Sequence, residues 1–559
     1  MQFLDDVTFP GTGFNAGAFV HRRLNVFAIA SEFRLLTQPR ARATYGGTRP
    51  RRRVGLYEHR ERRPFAWLDS LRYPINDVAF HPSQPIAAIA TGRYDDGYMF
   101  EGELVLWNWE TGKTGQPLIQ TPEVSRAAFS PDGTTIFAYV RPWDEGFAEE
   151  RAPSRDLFDL FYEVRATLFQ DLSQGVGEAG SVVDQMNRQS AVGSDAIVND
   201  PRFDPIKDPE DVLVEQSGSA NRVVRSPIWD LAWLDENTIG AVHDDCHLHI
   251  TGIDGRPTSL FKGDGVGCEL FGGSAPMVHV TSENNDEDWA NRFTSKLLAF
   301  RNNHLEILGA FEGAHTFSRS SCGRILGRRD RSGSKSVDKS QDRFFDGENW
   351  RHLALGHYDV FNHYLRIDDA PHLFFVQNDQ PDAGPLDYLD SRTGRIVHPE
   401  KYLCALENAG SIRRLWPVLE ADGSFESHPM ECSFAYAFDE DGEAMFVGGK
   451  HYNPNPRTGF SGFIYRRELW SGKEIWRHPL NASPSNIVHI PEVGIVLVFC
   501  LNGEFLFINA RSGRLLNAAT TEIDGLTTPV FSCAARSAEL ALGTMDGRII
   551  LTHLEELIV

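Results

Sequence analysis

The sequence predicts an all-β fold assembled from a repeated unit of four antiparallel strands. Three observations carry this prediction: apolar and polar residues alternate in short segments, turn residues separate the segments, and the same order of segments returns several times. Alternation with a period of two marks half-buried strands, and short strands at regular spacing are typical of sandwiches, barrels and propellers. With 559 residues, the chain can form several domains or one large repeat array.

Residues 75–113 carry the clearest unit. An alternating strand with Val78 and Phe80 ends in His-Pro, and a second apolar strand runs from Ile86 to Ala90. A third strand, from Glu103 to Trp109, leads into a Thr-Gly-Lys turn. Pro-Ser, Asp-Gly and Thr-Gly pairs supply the tight turns between these strands. Together with a shorter outer strand, the three strands form one antiparallel sheet.

Similar units follow one another along most of the chain. A period of roughly 40 to 50 residues is typical of a propeller blade. We therefore expect a β-propeller of four-stranded antiparallel blades, with about 7–10 blade-like units in one ring or two and with a long insertion. The ten units that can be drawn are 13–72, 73–122, 123–222, 223–265, 266–312, 313–357, 358–425, 426–480, 481–521 and 522–559.

Two of the turns resemble those of the WD40-repeat family. The run from Phe129 to Gly133, Phe-Ser-Pro-Asp-Gly, is similar to the turn after the family's first strand. Leu106-Trp107-Asn108 followed by Thr111-Gly112-Lys113 is similar to the end of its third strand. The Gly-His pair that opens the family's repeat is missing, and the Trp-Asp pair occurs only as Trp107-Asn108. The resemblance implies divergent propeller blades that lack the family's stiffening Asp-His-Ser/Thr-Trp hydrogen bonds.

The organisation that we expect has four parts: N-terminal blades over 1–143, an insertion or decorated loop over 144–224, divergent middle blades over 225–425, and C-terminal blades over 426–559. Residues 1–9 can add an outer strand to the last unit and so hide its edge. Within the insertion, residues 158–168 fit either a helix or a third strand, and we favour the strand. Loops that a rigid scaffold positions often carry binding sites.

Composition excludes several classes of protein. No apolar run approaches the roughly 20 residues that a membrane helix needs, and the first residues lack the basic and apolar regions of a secretory signal. We therefore expect a cytoplasmic protein. The net charge of −22 disfavours wholesale binding to nucleic acid or to an anionic membrane. Seven cysteines without a CxxC pair favour reduced core thiols over disulfides or a zinc ribbon.

Two arginine-rich stretches, at 40–63 and 319–343, interrupt this acidic chain. Guanidinium groups on neighbouring loops can bind phosphate or carboxylate, which would give a site for an anionic ligand, a protein partner or RNA. A solvated face that balances acidic neighbours is the more common role of such charge runs. The candidate partner- or anion-binding residues are Arg49, Arg51, Arg52, Arg53, Arg324, Arg328, Arg329 and Arg331.

Candidates for chemistry are few. His243, Asp244, Asp245, Cys246, His247 and His249 form the densest cluster of possible metal ligands, but they occupy an ordinary hairpin. Asp77, Asp230 and Glu269 lie near the starts of first strands, where a propeller enzyme could gather carboxylates in its channel. No GxSxG, Walker or HExxH motif occurs. The turns at 469–476 and 512–516 resemble quinone-cofactor propellers, which are normally exported.

The hypothesis that we favour is a non-catalytic protein-interaction scaffold that holds a protein partner in a larger assembly, with no catalytic residue, metal or cofactor. Fold alone does not establish it. The first alternative is a propeller enzyme that acts on a small substrate in the central channel. The second is binding of an anion or RNA through the arginine-rich loops, which predicts affinity that falls steeply with salt.

Overall fold

A computed structural model of the chain is all-β, with repeated four-stranded antiparallel sheets. The residues that it describes are 2–5, 9, 12, 14–21, 24–33, 51–61, 63–69, 71–95, 99–121, 123–140, 158–165, 190–193, 201–204, 207–217, 227–243, 247–255, 257–262, 267–272, 276–283, 293–301, 304–320, 323–329, 342–353, 372–377, 388–390, 395–397, 401–406, 412–417, 431–438, 443–450, 462–482, 484–523 and 525–557.

The chain divides into two compact units. Of the described residues, the N-terminal unit holds those from 9 to 33 and from 51 to 217, and the C-terminal unit holds residues 2–5 and those from 227 onward. The first strand, β1 (Gln2–Asp5), therefore belongs to the C-terminal unit, although the whole N-terminal unit separates it in sequence from the other strands of that unit.

The described residues of the N-terminal unit form three sheets, in each of which neighbouring strands follow the order of the sequence. Helix α1 (Pro209–Ser217) also lies in the described part of this unit. Sheet 1 consists of β2 (Phe14–Val20), β3 (Val26–Phe33), β4 (Arg51–Glu58) and β5 (Ala66–Asp69); sheet 2 of β6 (Ile75–Phe80), β7 (Ile86–Asp95), β8 (Met99–Asn108) and β9 (Thr114–Thr121); sheet 3 of β10 (Val124–Phe129), β11 (Thr135–Val140), β12 (Phe158–Arg165) and β13 (Ser190–Gly193).

Apolar cores join these three sheets in order. One core lies between sheets 1 and 2 and another between sheets 2 and 3. On the other side of sheet 1, Val212 and Leu213 of α1 pack against Phe27 and Tyr57. Phe203, a few residues before α1, packs against sheet 3 at Tyr139. Phe203 therefore covers part of sheet 3, and α1 covers part of sheet 1.

The part of the C-terminal unit that the structure describes forms seven larger sheets, of which sheet 7 has three described strands and sheet 10 includes β1. Sheet 4 consists of β14 (Ile228–Trp233), β15 (Thr238–His243), β16 (His247–Gly252) and β17 (Pro257–Lys262); sheet 5 of β18 (Gly267–Phe271), β19 (Met277–Glu283), β20 (Phe293–Arg301) and β21 (His304–Glu312); sheet 6 of β22 (His315–Arg319), β23 (Ile325–Arg329), β24 (Asp342–Phe345) and β25 (Trp350–Leu353). In sheet 7, β26 (Leu373–Gln377), β29 (Lys401–Leu406) and β30 (Ile412–Pro417) pair, and β27 (Tyr388–Asp390) and β28 (Arg395–Val397) form a separate hairpin.

The remaining elements follow the same plan. Sheet 8 consists of β31 (Glu431–Phe438), β32 (Ala444–Lys450), β33 (Gly462–Glu468) and β34 (Glu474–Leu480), and sheet 9 of β35 (Pro484–Ile490), β36 (Ile495–Cys500), β37 (Glu504–Asn509) and β38 (Leu515–Thr520). A small hairpin, β39 (Glu522–Ile523) and β40 (Leu526–Thr527), precedes sheet 10, which consists of β41 (Val530–Arg536), β42 (Glu539–Thr544), β43 (Ile549–His553) and β1, and α2 (Leu554–Leu557) follows.

Each sheet of the C-terminal unit shares an apolar core with the next, from sheet 4 to sheet 10. A further core joins sheet 10 back to sheet 4: Leu4, Ile549 and Leu551 pack with Ile228 and Ile239. Strand β1 pairs antiparallel with β43, with Phe3 opposite Ile550. Of the residues 1–9 that we expected to cover the edge of the last unit, Gln2–Asp5 pair with that edge, whereas Phe9 packs in a core of sheet 1.

Many of the first strands carry a β-bulge close to their start. The pairing of the first strand with the second shifts by one or more residues in seven of the ten larger sheets, counted within the described residues. A bulge bends the strand and redirects its side chains. In the next subsection we call the residues at and just after this bulge the bulge positions.

Tryptophans of the C-terminal unit lock one sheet to the turn of the next. The Trp416 indole donates to the Leu469 carbonyl at 2.8 Å, and Trp476 donates to the Ala510 carbonyl at 2.9 Å. Each ring lies under a glycine with positive φ, Gly472 for Trp416 and Gly513 for Trp476. Only a residue without Cβ leaves room for the ring at these turns.

The described part of 144–224 contains strands β12 and β13 and helix α1. The strand that we favoured over 158–168 is present as β12, which pairs with β11. The polar stretch that we assigned to a loop contains α1, because Val212, Leu213 and Gln216 bury one side of a short helix. The three cysteines whose side chains are described, Cys404, Cys500 and Cys533, are buried thiols, and burial raises their pKa.

Candidate functional site

Polar side chains at the bulge positions connect one sheet to the next. Asp77 accepts the Ala127 N–H of sheet 3 at 3.1 Å, and Asp230 accepts the Leu270 N–H of sheet 5 at 2.8 Å. Each carboxylate also accepts the N–H of the residue that follows it. Two of the three carboxylates that we considered for channel chemistry therefore bind backbone amides of the neighbouring first strand.

Three uncharged side chains also join neighbouring sheets by hydrogen bonds. The Asn76 amide donates to the Val124 carbonyl at 3.0 Å, joining sheets 2 and 3. Ser485 donates to the Val530 carbonyl at 2.5 Å and joins sheets 9 and 10. Ser532 donates to the Ile228 carbonyl at 3.0 Å and joins sheet 10 to sheet 4. The sequence analysis predicted neither the bulges nor these hydrogen bonds between sheets.

The Asp77 carboxyl group has a perturbed pKa. Burial raises its pKa to about 6, and the amide of Ala127 and the charge of Arg126 work against that rise. The Arg126 Nε lies 3.7 Å from the Asp77 carboxylate, and its guanidinium also contacts the Asp204 carbonyl and the Phe203 ring. This arginine therefore ties the segment before α1 to the bulge positions of sheets 2 and 3.

Glu269, the third candidate carboxylate, belongs to a buried chain of polar groups in sheet 5. Its Oε2 lies 2.8 Å from the Nδ1 of His279, and the Nε2 of His279 lies 3.3 Å from the Thr281 hydroxyl. This order of groups is that of a hydroxyl nucleophile with its base and orienting carboxylate. All three side chains are buried, and the Phe317 ring packs against the imidazole at 4.6 Å, so these groups lie in the core of the sheet.

His243 and His249 of sheet 4 are both buried, with ring centroids 6.4 Å apart. The side chain of His247 and residues 244–246 lie outside the described residues. No group of three or more possible metal ligands occurs in the part of the chain that the structure describes. The two histidines thus pack in the core of sheet 4.

Arg51, Arg52 and Arg53 of the first stretch lie in β4, and Arg60 and Arg63 follow that strand. Arg53 forms a two-bond ion pair with Asp69, at 2.5 and 3.3 Å, and Arg52 donates to the Arg72 carbonyl at 2.7 Å. Both side chains are buried. Arg49 and the side chain of Arg51 lie outside the described residues.

The described arginines of the second stretch lie in strands of sheet 6 or in the turn before β23. Arg328 and Arg329 are buried, and the Arg328 Nε lies 3.5 Å from the Asp342 carboxylate. Arg324 is exposed in the turn before β23, and Arg331 lies outside the described residues. The arginines of the two stretches thus belong to different sheets, as far as they are described. The four buried ones contact other groups of the chain; they are Arg52, Arg53, Arg328 and Arg329.

The N-terminal unit contains two hydrogen-bonded turn histidines, His21 and His81, that the sequence analysis did not single out. The Nδ1 of His21 accepts the Leu24 N–H, and the Nδ1 of His81 accepts the N–H groups of Ser83 and Gln84. The Nε2 of His21 lies 3.2 Å from the His81 carbonyl. His81 in turn hydrogen-bonds the Gly133 backbone, and burial lowers its pKa. Comparison of the repeats could have revealed these histidines, because both directly follow an apolar first strand.

Exposed apolar side chains in the C-terminal unit lie mainly near outer strands. Ile307 in β21 is 65% exposed, and Ile475 in β34 and Leu516 in β38 are each 41% exposed. Each of these strands is bulged where it pairs with the third strand of its sheet. Buried polar groups that join sheets, and apolar groups that face solvent, are thus the two recurring features of this unit.

Comparison of the sequence with protein-family models finds no matching family, and comparison with curated proteins finds no match. Among the described residues, no helix has both the length and the apolar character required to cross a bilayer.

Proposed function

We propose that the C-terminal unit is a seven-bladed β-propeller in which each of sheets 4 to 10 is one blade. Two independent observations support it: the apolar cores follow one another from sheet to sheet, and the core of sheet 10 includes residues of sheet 4. The bridge from Ser532 to Ile228 repeats, at that seam, the bridge from Ser485 to Val530 one sheet earlier. Strand β1 then closes the ring as the outer strand of the last blade.

The N-terminal unit fits three blades of the same type, closed by the segment 201–217 in place of further sheets. The turn of sheet 3 supports a distant WD40-like relationship, since Asp132 accepts hydrogen bonds from Ser130 and Thr134 and stabilises a positive φ at Gly133. A turn ordered by its own side chains fixes how the first two strands of a blade meet.

We propose that the protein is a non-catalytic scaffold for protein partners. The observation that carries this proposal is the use of Asp77, Asp230 and Glu269: the carboxylates best placed for channel chemistry hold sheets or a core histidine together. Exposed apolar side chains such as Ile307 offer contact surface for a protein. A rigid array of sheets with such surface is suited to binding and to holding a partner.

The test is affinity isolation of the tagged full chain from its own cells, with quantitative mass spectrometry and cross-linking. We expect at least one protein at a fixed ratio to the chain, lost or reduced when Ile307→Asp is introduced. The conservative exchange Glu306→Gln in the same strand serves as the control. Recovery of the chain alone, with turnover of a small molecule that Glu269→Gln abolishes, would contradict the proposal and favour the enzyme.

A further inference from the structure

Sheet 6 distributes its charged side chains unequally between its two faces. Residues that are directly opposite each other in neighbouring strands lie on the same face, so the pairing of β22 to β25 assigns each side chain to a face. One face shares an apolar core with sheet 5, through Phe317 and Phe311. Within the described residues, the titratable side chains of this face are all basic: His315, Arg319, Arg329, Arg343 and His352.

The arginines of the opposite face lie beside carboxylates. The Arg328 Nε is 3.5 Å from the Asp342 carboxylate, and the Arg351 Nη2 is 2.5 Å from that of Asp346. Arg343 differs from both, because no described carboxylate forms an ion pair with its guanidinium. In a chain with more acidic than basic residues, an arginine without such a partner is unexpected.

The groups around Arg343 do not balance its positive charge. Its Nη1 donates to the Nε2 of His352 at 2.9 Å, and a ring nitrogen that accepts a hydrogen bond carries no proton, so this partner is neutral. The guanidinium lies 5.5 Å from the centre of the Phe311 ring of sheet 5. The Arg343 Nε is buried and has no hydrogen-bond partner among the described residues.

A second positive charge lies close to Arg343 on the same face. Arg343 pairs with Gly327, two residues before Arg329, and side chains at such diagonal positions are about 7–8 Å apart. Burial and the charge of Arg329 both lower the pKa of Arg343 below its ordinary value. Bringing two guanidinium groups this close costs free energy, and an anion between them would offset that cost.

The position of Arg343 allows a ligand to reach it from solvent. His352 is exposed in the outer strand β25, and Arg343 is only partly buried. A phosphate monoester carries about −1.5 to −2 charges at neutral pH and has three acceptor oxygens. Guanidinium groups bind such oxygens through parallel N–H donors, and two nearby arginines favour a dianion over a single carboxylate.

We propose that Arg343, with His352 beside it and the charge of Arg329 behind it, binds a phosphate group at the exposed margin of sheets 5 and 6. The ligand chemistry is that of a phosphate monoester, whether a protein side chain or a sugar carries it. This inference does not depend on the scaffold proposal, because free phosphate tests the site without any protein partner.

The experiment is isothermal titration calorimetry of the purified full chain with inorganic phosphate, with chloride used to keep the ionic strength constant. The wild type is expected to bind phosphate with a dissociation constant of about 1 mM. Arg343→Gln removes the charge and most of the donors, and it is expected to weaken binding at least about tenfold. Arg351→Gln is the matched control, since it removes the same charge from the opposite face of sheet 6 and should change binding less than about twofold.

A second variant and a second measurement keep the test independent of folding. Arg343→Lys retains the charge without the guanidinium fork and is expected to bind phosphate with intermediate affinity. Melting temperatures in chloride show whether each variant is folded, and phosphate should raise the melting temperature of the wild type and of Arg351→Gln but not of Arg343→Gln. A wild type that does not bind phosphate at about 20 mM, or a folded Arg343→Gln that binds it equally well, would overturn the proposal.

Two phosphate esters then identify the source of the ligand. Tighter binding of a phosphoserine peptide than of inorganic phosphate would assign the site to a phosphorylated protein, and tighter binding of ribose phosphate would assign it to a sugar phosphate or nucleotide. If neither ester binds more tightly, the ligand is free phosphate. Each of these results supports the site only when Arg343→Gln abolishes the binding, and binding that this variant retains would overturn it.

Discussion

At the scale of single residues, the contacts of Trp416 with Gly472 and of Trp476 with Gly513 show most directly how one sheet constrains the next. Gly513 has φ 70°, and a Cβ there would lie 2.6 Å from the Trp476 ring. Gly494 has a similar φ of 65° but no atom within 4 Å of such a Cβ. The two glycines therefore separate the cost of the backbone conformation from the cost of the lost space.

We predict that Gly513→Ala destabilises the C-terminal unit more than Gly494→Ala does. Left-handed backbone at a non-glycine residue costs about 1 kcal/mol in both variants. Only Gly513→Ala also displaces the tryptophan, which adds about 1–3 kcal/mol. Thermal and urea unfolding, followed by tryptophan fluorescence, should rank the variants in this order. Equal losses of stability would show that the packing of Trp476 against the turn contributes little.

His81 makes the stability of the N-terminal unit depend on pH. Its Nδ1 accepts two backbone N–H groups, so protonation there removes an acceptor, and burial lowers its pKa below the ordinary value of 6.5. Below pH about 6.5 the unfolded chain then binds more protons at this residue than the folded one does. The contribution of His81 is thus present above that pH and is lost as the pH falls.

We predict that His81→Gln reduces stability at pH 8 but flattens its decline between pH 7 and 5.5, because glutamine keeps one acceptor and one donor and does not titrate. Asp77, whose pKa is raised to about 6, acts in the opposite direction, and comparison with the wild type cancels its effect. Melting temperature against pH is the measurement, with the exposed His553→Gln as control. If His81→Gln had the same pH profile as the wild type, His81 would not be the source of the pH dependence.

At the scale of elements, the bulged first strands determine how neighbouring sheets meet. The bulge rotates Asp230 toward the next first strand, where it accepts the Leu270 N–H. We predict that Asp230→Ala destabilises the C-terminal unit by about 1–3 kcal/mol for each amide left without an acceptor. Asp230→Asn keeps one carbonyl oxygen and should lose less.

The same unfolding measurements test this order, and amide hydrogen exchange at Leu270 gives a local readout. In Asp230→Ala, the Leu270 amide should exchange faster than in the wild type, whereas an amide within the core of sheet 9, such as that of Val498, should not. If hydrogen exchange became faster to the same extent at both amides, the variant would be destabilised throughout the unit and the loss of the Asp230–Leu270 hydrogen bond would not explain the result.

Sequence patterns were sufficient to predict strands and turns but not the contacts between sheets. Alternation at Val78 and Phe80 and the turns at Thr111-Gly112 and Ser512-Gly513 identify β6 and the ends of two third strands, because side-chain period and turn chemistry are local. The bridge of Asp77 to Ala127 depends on a bulge and on a partner 50 residues away, and neither is local. Helix α1 was missed because its apolar side is only a few residues wide.

The candidate site was harder to predict for the same reason. Asp77, Asp230 and Glu269 were recognised as unusual by position, but only their hydrogen-bond partners show that they join sheets or hold a histidine. The arginine stretches were recognised by charge, which does not indicate that Arg53 meets Asp69 or that Arg328 meets Asp342. Composition identifies charged side chains, and tertiary structure decides whether they are free to bind.

At the scale of the whole molecule, the N-terminal unit is an insertion between β1 and β14. Leu4 and Ile228 share one core, so the two ends of the insertion lie near each other within the C-terminal unit. We predict that removal of residues 7–225, with a short Gly/Ser linker from Asp6 to Ser226, leaves a C-terminal unit that folds. Circular dichroism and cooperative thermal unfolding are the measurements.

Removal of residues 1–225 without restoring β1 is the matched comparison. This shorter chain exposes the edge of β43 and the core around Leu4, and it should melt at lower temperature or aggregate. If both shortened chains were equally stable, β1 would not contribute to the C-terminal unit, and the proposed closure of the propeller would lose its support.

The pairing of β1 with β43 also has a consequence for biosynthesis. The two strands are separated by roughly 540 residues, and at about 5–20 residues per second a ribosome needs on the order of one minute to make that length. During this time β1 has emerged but its partner does not yet exist, whereas sheets 4 to 9 can form from neighbouring hairpins as they appear. The seam is therefore the last part of the C-terminal unit to assemble, and a nascent chain stalled before Ile549 would present an unpaired β1 to chaperones.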